Sequence, residues 1–176
     1  MRIVGGRLRG RALAAPKSQG IRPTADRLRE SLFNILAHAY DDPVTGALGL
    51  EAMSRGAAFA LFVDDGAEAR ALMRQNVEAL GLAAATLIFR RDATKLGAAH
   101  PVEPFSLVFL DPPYGKNLAE KALASAGAGG WLTKSALIVV EEATDAGFKA
   151  PGGFDEIERR SYDDTQFVIL RLTAAE

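Results

Sequence analysis

A chain of 176 residues with 48% apolar content is long enough for one compact domain with a real core and too short to promise two. It has no cysteine, which excludes disulfides and thiolate metal sites, and its two histidines, His38 and His100, lie too far apart to suggest a metal centre. The net charge of −1 is unevenly spread: Arg2, Arg7, Arg9, Arg11, Lys17, Arg22, Arg27 and Arg29 crowd the start, against Asp26 and Glu30 there.

The opening "MRIVGGRLRGRALAAPK" is basic but lacks an apolar run of signal-peptide length, and no later run could cross a bilayer, so the expectation is a soluble cytoplasmic protein. "RIVGGRLRGRAL" reads as two short strands turned at Gly5-Gly6 or Gly10, a hairpin too small to fold alone. Residues 1–22 are therefore expected to be a basic extension that leans on a main domain over 23–176. Arginines interleaved with glycines suit a patch aimed at phosphates, because glycine lets the backbone come close to a ligand. A merely solvated basic face is the alternative.

"RPTADRLRESLFNILAHAY" carries helix signals: Thr24 as N-cap after Pro23, Asp26 in the first turn, and a stripe of Leu28, Leu32, Ile35, Leu36 and Ala39. Arg27, Ser31, Asn34 and His38 form its wet face. From Ala47 the pattern alternates. "ALGLEAMSR" predicts a helix, "AFALFVDD" a buried strand, "AEARALMRQNVEAL" a helix, then "TLIFRRD" and "FSLVFLD" strands. "NLAEKALASA" predicts a helix, "SALIVVEE" a strand, and "DEIERRSYDDTQFVILRL" a closing hairpin. Such alternation argues for an α/β fold, a parallel sheet with helices on both faces, whose ligands bind beyond the carboxyl ends of the strands.

Asp64, Asp92 and Asp111 each end a predicted strand, which would rim one sheet edge with carboxylates. Asp64 follows "TGALGLEA" by about one strand-helix-strand unit, where a carboxylate accepts from ribose hydroxyls and Gly46 lets the backbone approach. Asp111-Pro112-Pro113-Tyr114 is more specific. The exocyclic amine of a nucleobase is a poor nucleophile because its lone pair is delocalised into the ring. The Asp111 carboxylate and the Pro112 carbonyl would accept from its N–H groups and aim it, the prolines holding that carbonyl rigid. Tyr114 would stack on the base, a contact worth roughly 1–3 kcal/mol. The turn suits transfer of a small group to a base amine, with positioning supplying most of the rate.

"DPPY" after an apolar strand is similar to motif IV of the S-adenosylmethionine-dependent amino-methyltransferases of nucleic acids. "RIVGGRLRGRAL", "IRPTADRLRESLFNIL" and "TGALGLEAMSRGA" resemble the RsmD-type 16S ribosomal RNA (guanine-N2)-methyltransferases, and the likeness runs nearly end to end. The resemblance implies a Rossmann-like class I fold with a mostly parallel seven-stranded sheet. It implies S-adenosylmethionine as methyl donor without a metal, and a guanine of 16S ribosomal RNA, naked or in the assembling small subunit, as acceptor. A monomer is expected. By the same mapping Thr45 and Gly46 fall in the glycine loop, Asp64 is the ribose-binding acid, Asp92 and Ala93 contact adenine, and Asp111, Pro112, Pro113 and Tyr114 form the catalytic turn. Arg2, Arg7, Arg9, Arg11, Arg22 and Arg27 are the candidate RNA-binding residues.

In one place the chain departs from the family, whose first strand and glycine loop read approximately "VLDLFAGSGALGLEA". Here "AYDDPV" runs straight into "TGALGLEA", so the central strand, the loop's leading acid and its first glycine are absent. Loss of a middle strand would leave backbone groups unpaired and open a void. The expectation is omitted residues, and hence a Cα step between Asp41 and Gly46 far longer than the about 3.8 Å of a trans peptide. Two other functions fit the same residues: an adenine-N6 methyltransferase, because the turn serves either amine, and a non-catalytic RNA-binding protein, if the gap is real.

Overall fold

The computed structural model describes residues 1–15, 26–39 and 46–173. Its chain divides into two compact units, Met1–Arg91 and Asp92–Glu176. The expected boundary at residues 22 and 23, and the step between Asp41 and Gly46, lie outside the described residues.

The N-terminal segment corrects one expectation. In place of two strands it forms a single antiparallel bridge between Arg2 and Ala12, with Ile3 N donating to Arg11 O at 3.0 Å and Gly10 N to Ile3 O at 2.9 Å. The reason is that its other backbone groups bond to the helix behind it, α2 (Gly46–Ser54). Val4 N donates to Glu51 Oε2 at 2.9 Å, Leu8 N to Ser54 Oγ at 2.9 Å, and Arg7 N to Ser54 O at 2.7 Å. Gly6, at φ 72°, runs so close to the Ser54 carbonyl that a Cβ would collide with it. The segment does lean on the rest of the chain, with Ile3 and Leu13 buried.

Helix α1 (Asp26–Ala39) buries Leu32, Phe33 and Leu36 and exposes Arg27 and Asn34, as its periodicity requires. The expected cap, Thr24, is outside the described residues. In the same unit β1 (Ala60–Val63) leads into α3 (Ala67–Ala79) and then β2 (Thr86–Phe89), with β1 and β2 parallel from Ala60 opposite Thr86 to Val63 opposite Phe89. Each of these elements matches its predicted place.

The second unit carries β3 (Phe105–Leu110), α4 (Leu118–Ala128), β4 (Leu132–Ala143), β5 (Phe154–Tyr162) and β6 (Thr165–Leu172). Its sheet has the order β3-β4-β6-β5, with β3 parallel to β4 and β6 antiparallel to both neighbours. The closing hairpin is thus β5–β6. Leu123 of α4 packs with Ile138, Val140, Val168 and Leu170 in the core, each such side chain contributing about 1.5–3 kcal/mol by leaving water.

The expected seven-stranded sheet is not what the described residues form. They hold six strands, in one sheet of two and one of four.

Candidate functional site

Asp64 stands directly after β1, where the ladder ends with Asp64 N donating to Phe89 O at 3.2 Å. Its Oδ1 accepts Gly66 N–H at 2.7 Å, an Asx-type turn that leads into α3 and fixes the carboxylate. Buried Arg70 donates from Nη1 to the Asp64 carbonyl at 3.1 Å. Among the described residues Oδ2 of Asp64 has no partner, so it can accept from a ligand. Gly46 begins α2 as expected, while Thr45 lies outside the described residues.

In the second unit Asp92 caps a short 3-10 turn, Ala93–Lys95. Its Oδ1 accepts Thr94 N–H at 2.8 Å and the Thr94 hydroxyl at 2.6 Å. These two bonds hold the exposed carboxyl below its usual range, so it is ionised and acceptor-only. Ala93 beside it is half-buried.

The turn after β3 is built from two directions. Pro112 cannot donate to the ladder, so β3 stops at Leu110, paired with Val140, while β4 continues to Ala143. The next residues in register are Asp111 on the ended strand and Glu141 on the continuing one. Glu141 and Glu142 are buried, at 4% and 2% exposure. Tyr114 Oη donates to Glu141 Oε1 at 2.8 Å and lies 3.5 Å from Thr165 Oγ1 of β6. Gly115 N donates to Glu142 Oε1 at 3.0 Å, and Ala143 N reaches the same oxygen at 2.9 Å. Gly115 has φ 69°, a backbone that a side chain would strain. The proline turn is thereby tied to β4 at its ring and at the peptide after it.

Asp111 keeps an exposed surface, so a ligand can reach it, yet protein crowds its carboxyl and strips part of its water. That desolvation, followed by repulsion from Glu141 and then Glu142, raises its pKa to about 8. Burial is also the main reason that the Tyr114 hydroxyl is raised far above its ordinary value. At neutral pH the carboxyl is mostly protonated, with one acceptor and one donor in place of two acceptors.

The arginines separate into different roles. Arg7 and Arg9 are exposed on the loop between Gly5 and Gly10. Arg2 pairs with Asp26 at 3.0 Å, and Arg11 Nη2 donates to Ala79 O, at the end of α3, at 2.8 Å. Arg27 is exposed on α1, and Arg22 lies outside the described residues. Arg29, read as part of the basic cluster, is instead fully buried. Its Nη2 donates to Arg2 O and to Asp26 Oδ1, both at 2.6 Å, while Nε and Nη1 have no acceptor among the described residues. Glu141 and Glu142 were the residues missed. Their signal was present in "LIVVEEA", two acids continuing an apolar run.

Among the described residues no cluster of three metal-ligating side chains occurs, and no helix is long and apolar enough to cross a membrane. A cavity of ≈ 350 Å³ lined by His100, Val102, Glu103 and Gly129 lies at the opposite end of β3 from Asp111. It is remote from the chemistry of the turn.

Taken unit by unit, the chemistry suits parts of the methyl donor that the family resemblance implies: in the first unit Asp64 is a fixed carboxylate of the kind that ribose hydroxyls donate to, and in the second Asp92 is an ionised acceptor of the kind that an adenine amine donates to. The front of the glycine loop, which would meet the methionine half, is absent from the sequence.

The profile of the family described as conserved hypothetical protein 95 matches residues 1–171. Ribosomal RNA small subunit methyltransferase D of Escherichia coli K12 is 39% identical over 155 residues, covering 84% of this chain and 77% of the relative. The protein of the same name from Haemophilus influenzae is 32% identical over 181 residues, covering 98% of this chain and 92% of the relative. That match spans more positions than the 176 residues of this chain, so it includes positions for which this chain has none. A solved structure, "putative methyltransferase yhhF" from Escherichia coli, superposes with a TM-score of 0.81 at 32% identity, with 99% of each chain covered. The chain belongs to the conserved hypothetical protein 95 family, the RsmD family, and its α/β fold is that of methyltransferases.

Proposed function

We propose that this protein transfers a methyl group from S-adenosylmethionine to the exocyclic N2 amine of a guanine in small-subunit ribosomal RNA. The observation that carries the reading is the Asp111-Pro112-Pro113-Tyr114 turn, held by Glu141 and Glu142 beyond the end of β3. When bound, S-adenosylmethionine supplies a methyl group on a positively charged sulfur that leaves as a neutral thioether. Asp64 accepts from the ribose hydroxyls of that donor, and Asp92 with Ala93 meets its adenine.

Guanine presents N1–H and N2–H donors side by side. An ionised Asp111 offers two acceptors to that edge, and the Pro112 carbonyl takes the second N2–H. Tyr114 supplies a flat face for the base. As the N–C bond forms, the nitrogen must shed a proton, and the Asp111 carboxylate, with its raised proton affinity, takes it. Arg7, Arg9 and Arg27, exposed on the first unit, meet RNA phosphates, and the protein works as a cytoplasmic monomer.

The test is incubation of the purified protein with methyl-labelled S-adenosylmethionine and small-subunit ribosomal RNA, either naked or assembled, followed by digestion to nucleosides. Label in N2-methylguanosine is expected. Label in N6-methyladenosine would refute the guanine assignment. Calorimetric binding of the donor without any transfer would reduce the protein to a binder.

A further inference from the structure

We propose that Glu141 and Glu142, consecutive residues of β4, are positioning residues of the catalytic turn: Glu141 aims the Tyr114 ring, and Glu142 clamps the backbone at Gly115. The inference rests on the methyltransferase reading and assigns a specificity function to side chains that do not touch the base.

Neighbouring residues of a strand ordinarily point to opposite faces of a sheet. Here both carboxylates are buried and both reach one five-residue turn, because β4 extends beyond the end of β3 and the turn folds back along that extension. Burying two adjacent carboxylates is costly. The bonds that Glu142 makes, to the amides of Gly115 and Ala143, could be accepted equally well by the uncharged oxygen of a glutamine. A structural role needs the oxygen, whereas a role in the site needs the charge.

That charge has a target in register. Among the described residues, the groups that act on Asp111 are Glu141 and Glu142 from β4, with Tyr114 from its own turn and, beside Tyr114, the neutral hydroxyl of Thr165 from β6. Burial first, and then repulsion from Glu141 and Glu142, favours a proton on Asp111 until a base with N–H donors arrives to favour the ionised form. The pair therefore sets both the ring's orientation and the charge at which the turn reads a guanine edge.

The experiment compares Glu141→Gln and Glu142→Gln with Glu141→Ala in the full chain, using two readouts. The first is the titration of the Asp111 side-chain carbonyl, followed by carbon NMR without donor or RNA. Both glutamine variants are expected to move that titration to lower pH while leaving thermal unfolding at pH 5 unchanged. The second is methyl transfer: the acid limb of kcat should move down with the titration in the glutamine variants. Glu141→Ala should lose roughly ten- to a hundredfold in kcat, the factor one hydrogen bond to a charged group carries, with KM for RNA nearly unchanged. An Asp111 titration unmoved in both glutamine variants would overturn the proposal, as would full kcat in a folded Glu141→Ala protein. If the unaltered protein transfers no methyl group to RNA, the enzymatic reading fails, while the NMR titration still decides whether these charges act on Asp111.

Discussion

The side chain of Asn76 pairs with Ala14 as a strand residue would: its Oδ1 accepts the Ala14 N–H at 2.7 Å, and its Nδ2 donates to the Ala14 carbonyl at 3.2 Å. Asn76 is buried on α3, so this one side chain satisfies the Ala14 backbone two residues past the Arg2–Ala12 bridge. Asn76→Leu is expected to cost about 1–3 kcal/mol, because it leaves a partly buried amide and carbonyl without partners. Asn76→Asp should cost more, since it sets a second acceptor against the Ala14 carbonyl. Urea denaturation and hydrogen exchange at the Ala14 amide measure both, and a loss below about 0.5 kcal/mol in each variant would show that the pairing contributes nothing.

The carboxyl of Asp111 links stability to pH. Its pKa is raised from 3.8 to about 8 in the folded protein, whereas the unfolded chain releases that proton near the ordinary value. Folding therefore takes up a proton between these limits, and this group's contribution is fully present below pH ~4 and lost as pH rises to ~8. Asp111→Asn removes the dependence. The difference in melting temperature between variant and parent should be smallest near pH 4 and grow in the variant's favour up to pH 8. A difference independent of pH would mean that the carboxyl is ionised in the folded protein throughout.

Ionisation of the same group should govern turnover. Only the carboxylate matches both N–H donors of guanine, so single-turnover methylation should rise with pH and level off above about 8. Asparagine supplies one acceptor and a donor, and Asp111→Asn should lose the activity at every pH. A flat profile from pH 6 to pH 9 in the parent protein would refute this assignment.

The two strand-end acids divide the work differently. Asp111→Ala should abolish transfer with S-adenosylmethionine affinity unchanged, whereas Asp64→Ala should weaken the donor first, because Asp64 is fixed by Gly66 through one oxygen and the other has no partner among the described residues. Titration calorimetry separates them. Equal loss of donor binding in both variants would remove the distinction.

Among the arginines, Arg7 and Arg9 should carry RNA affinity. Replacing both by alanine is expected to flatten the dependence of log K on log salt by about 0.7–0.9 for each phosphate that is no longer neutralised. Arg11→Ala should act mainly on stability, because its guanidinium meets the carbonyl at the end of α3. An unaltered salt slope in the Arg7 and Arg9 double variant would make the loop a solvated face.

Most elements from Gly46 onward were legible in the sequence because their periodicities are local: a strand such as "FSLVFL" and a helix such as "AEARALMRQNVEA" carry their burial pattern in neighbouring residues. Asp64 and Asp111 were legible for the same reason, each being the polar stop of an apolar run, whereas Asp92 stands three residues past the end of β2, after Arg90 and Arg91.

Three features depended on residues distant in sequence. The N-terminal segment has a hairpin's composition, but the oxygens of Glu51 and Ser54 outcompete its own strands for backbone donors. Arg29 resembles its exposed neighbours in charge and differs only in the helix face it occupies, where it is wholly buried. Glu141 and Glu142 look like any acidic strand end, until the register of β3 on β4 sets them behind a turn about thirty residues away in the chain. Charge and period belong to the residue, whereas the partner that decides what a charge does is chosen by which distant strand lies alongside.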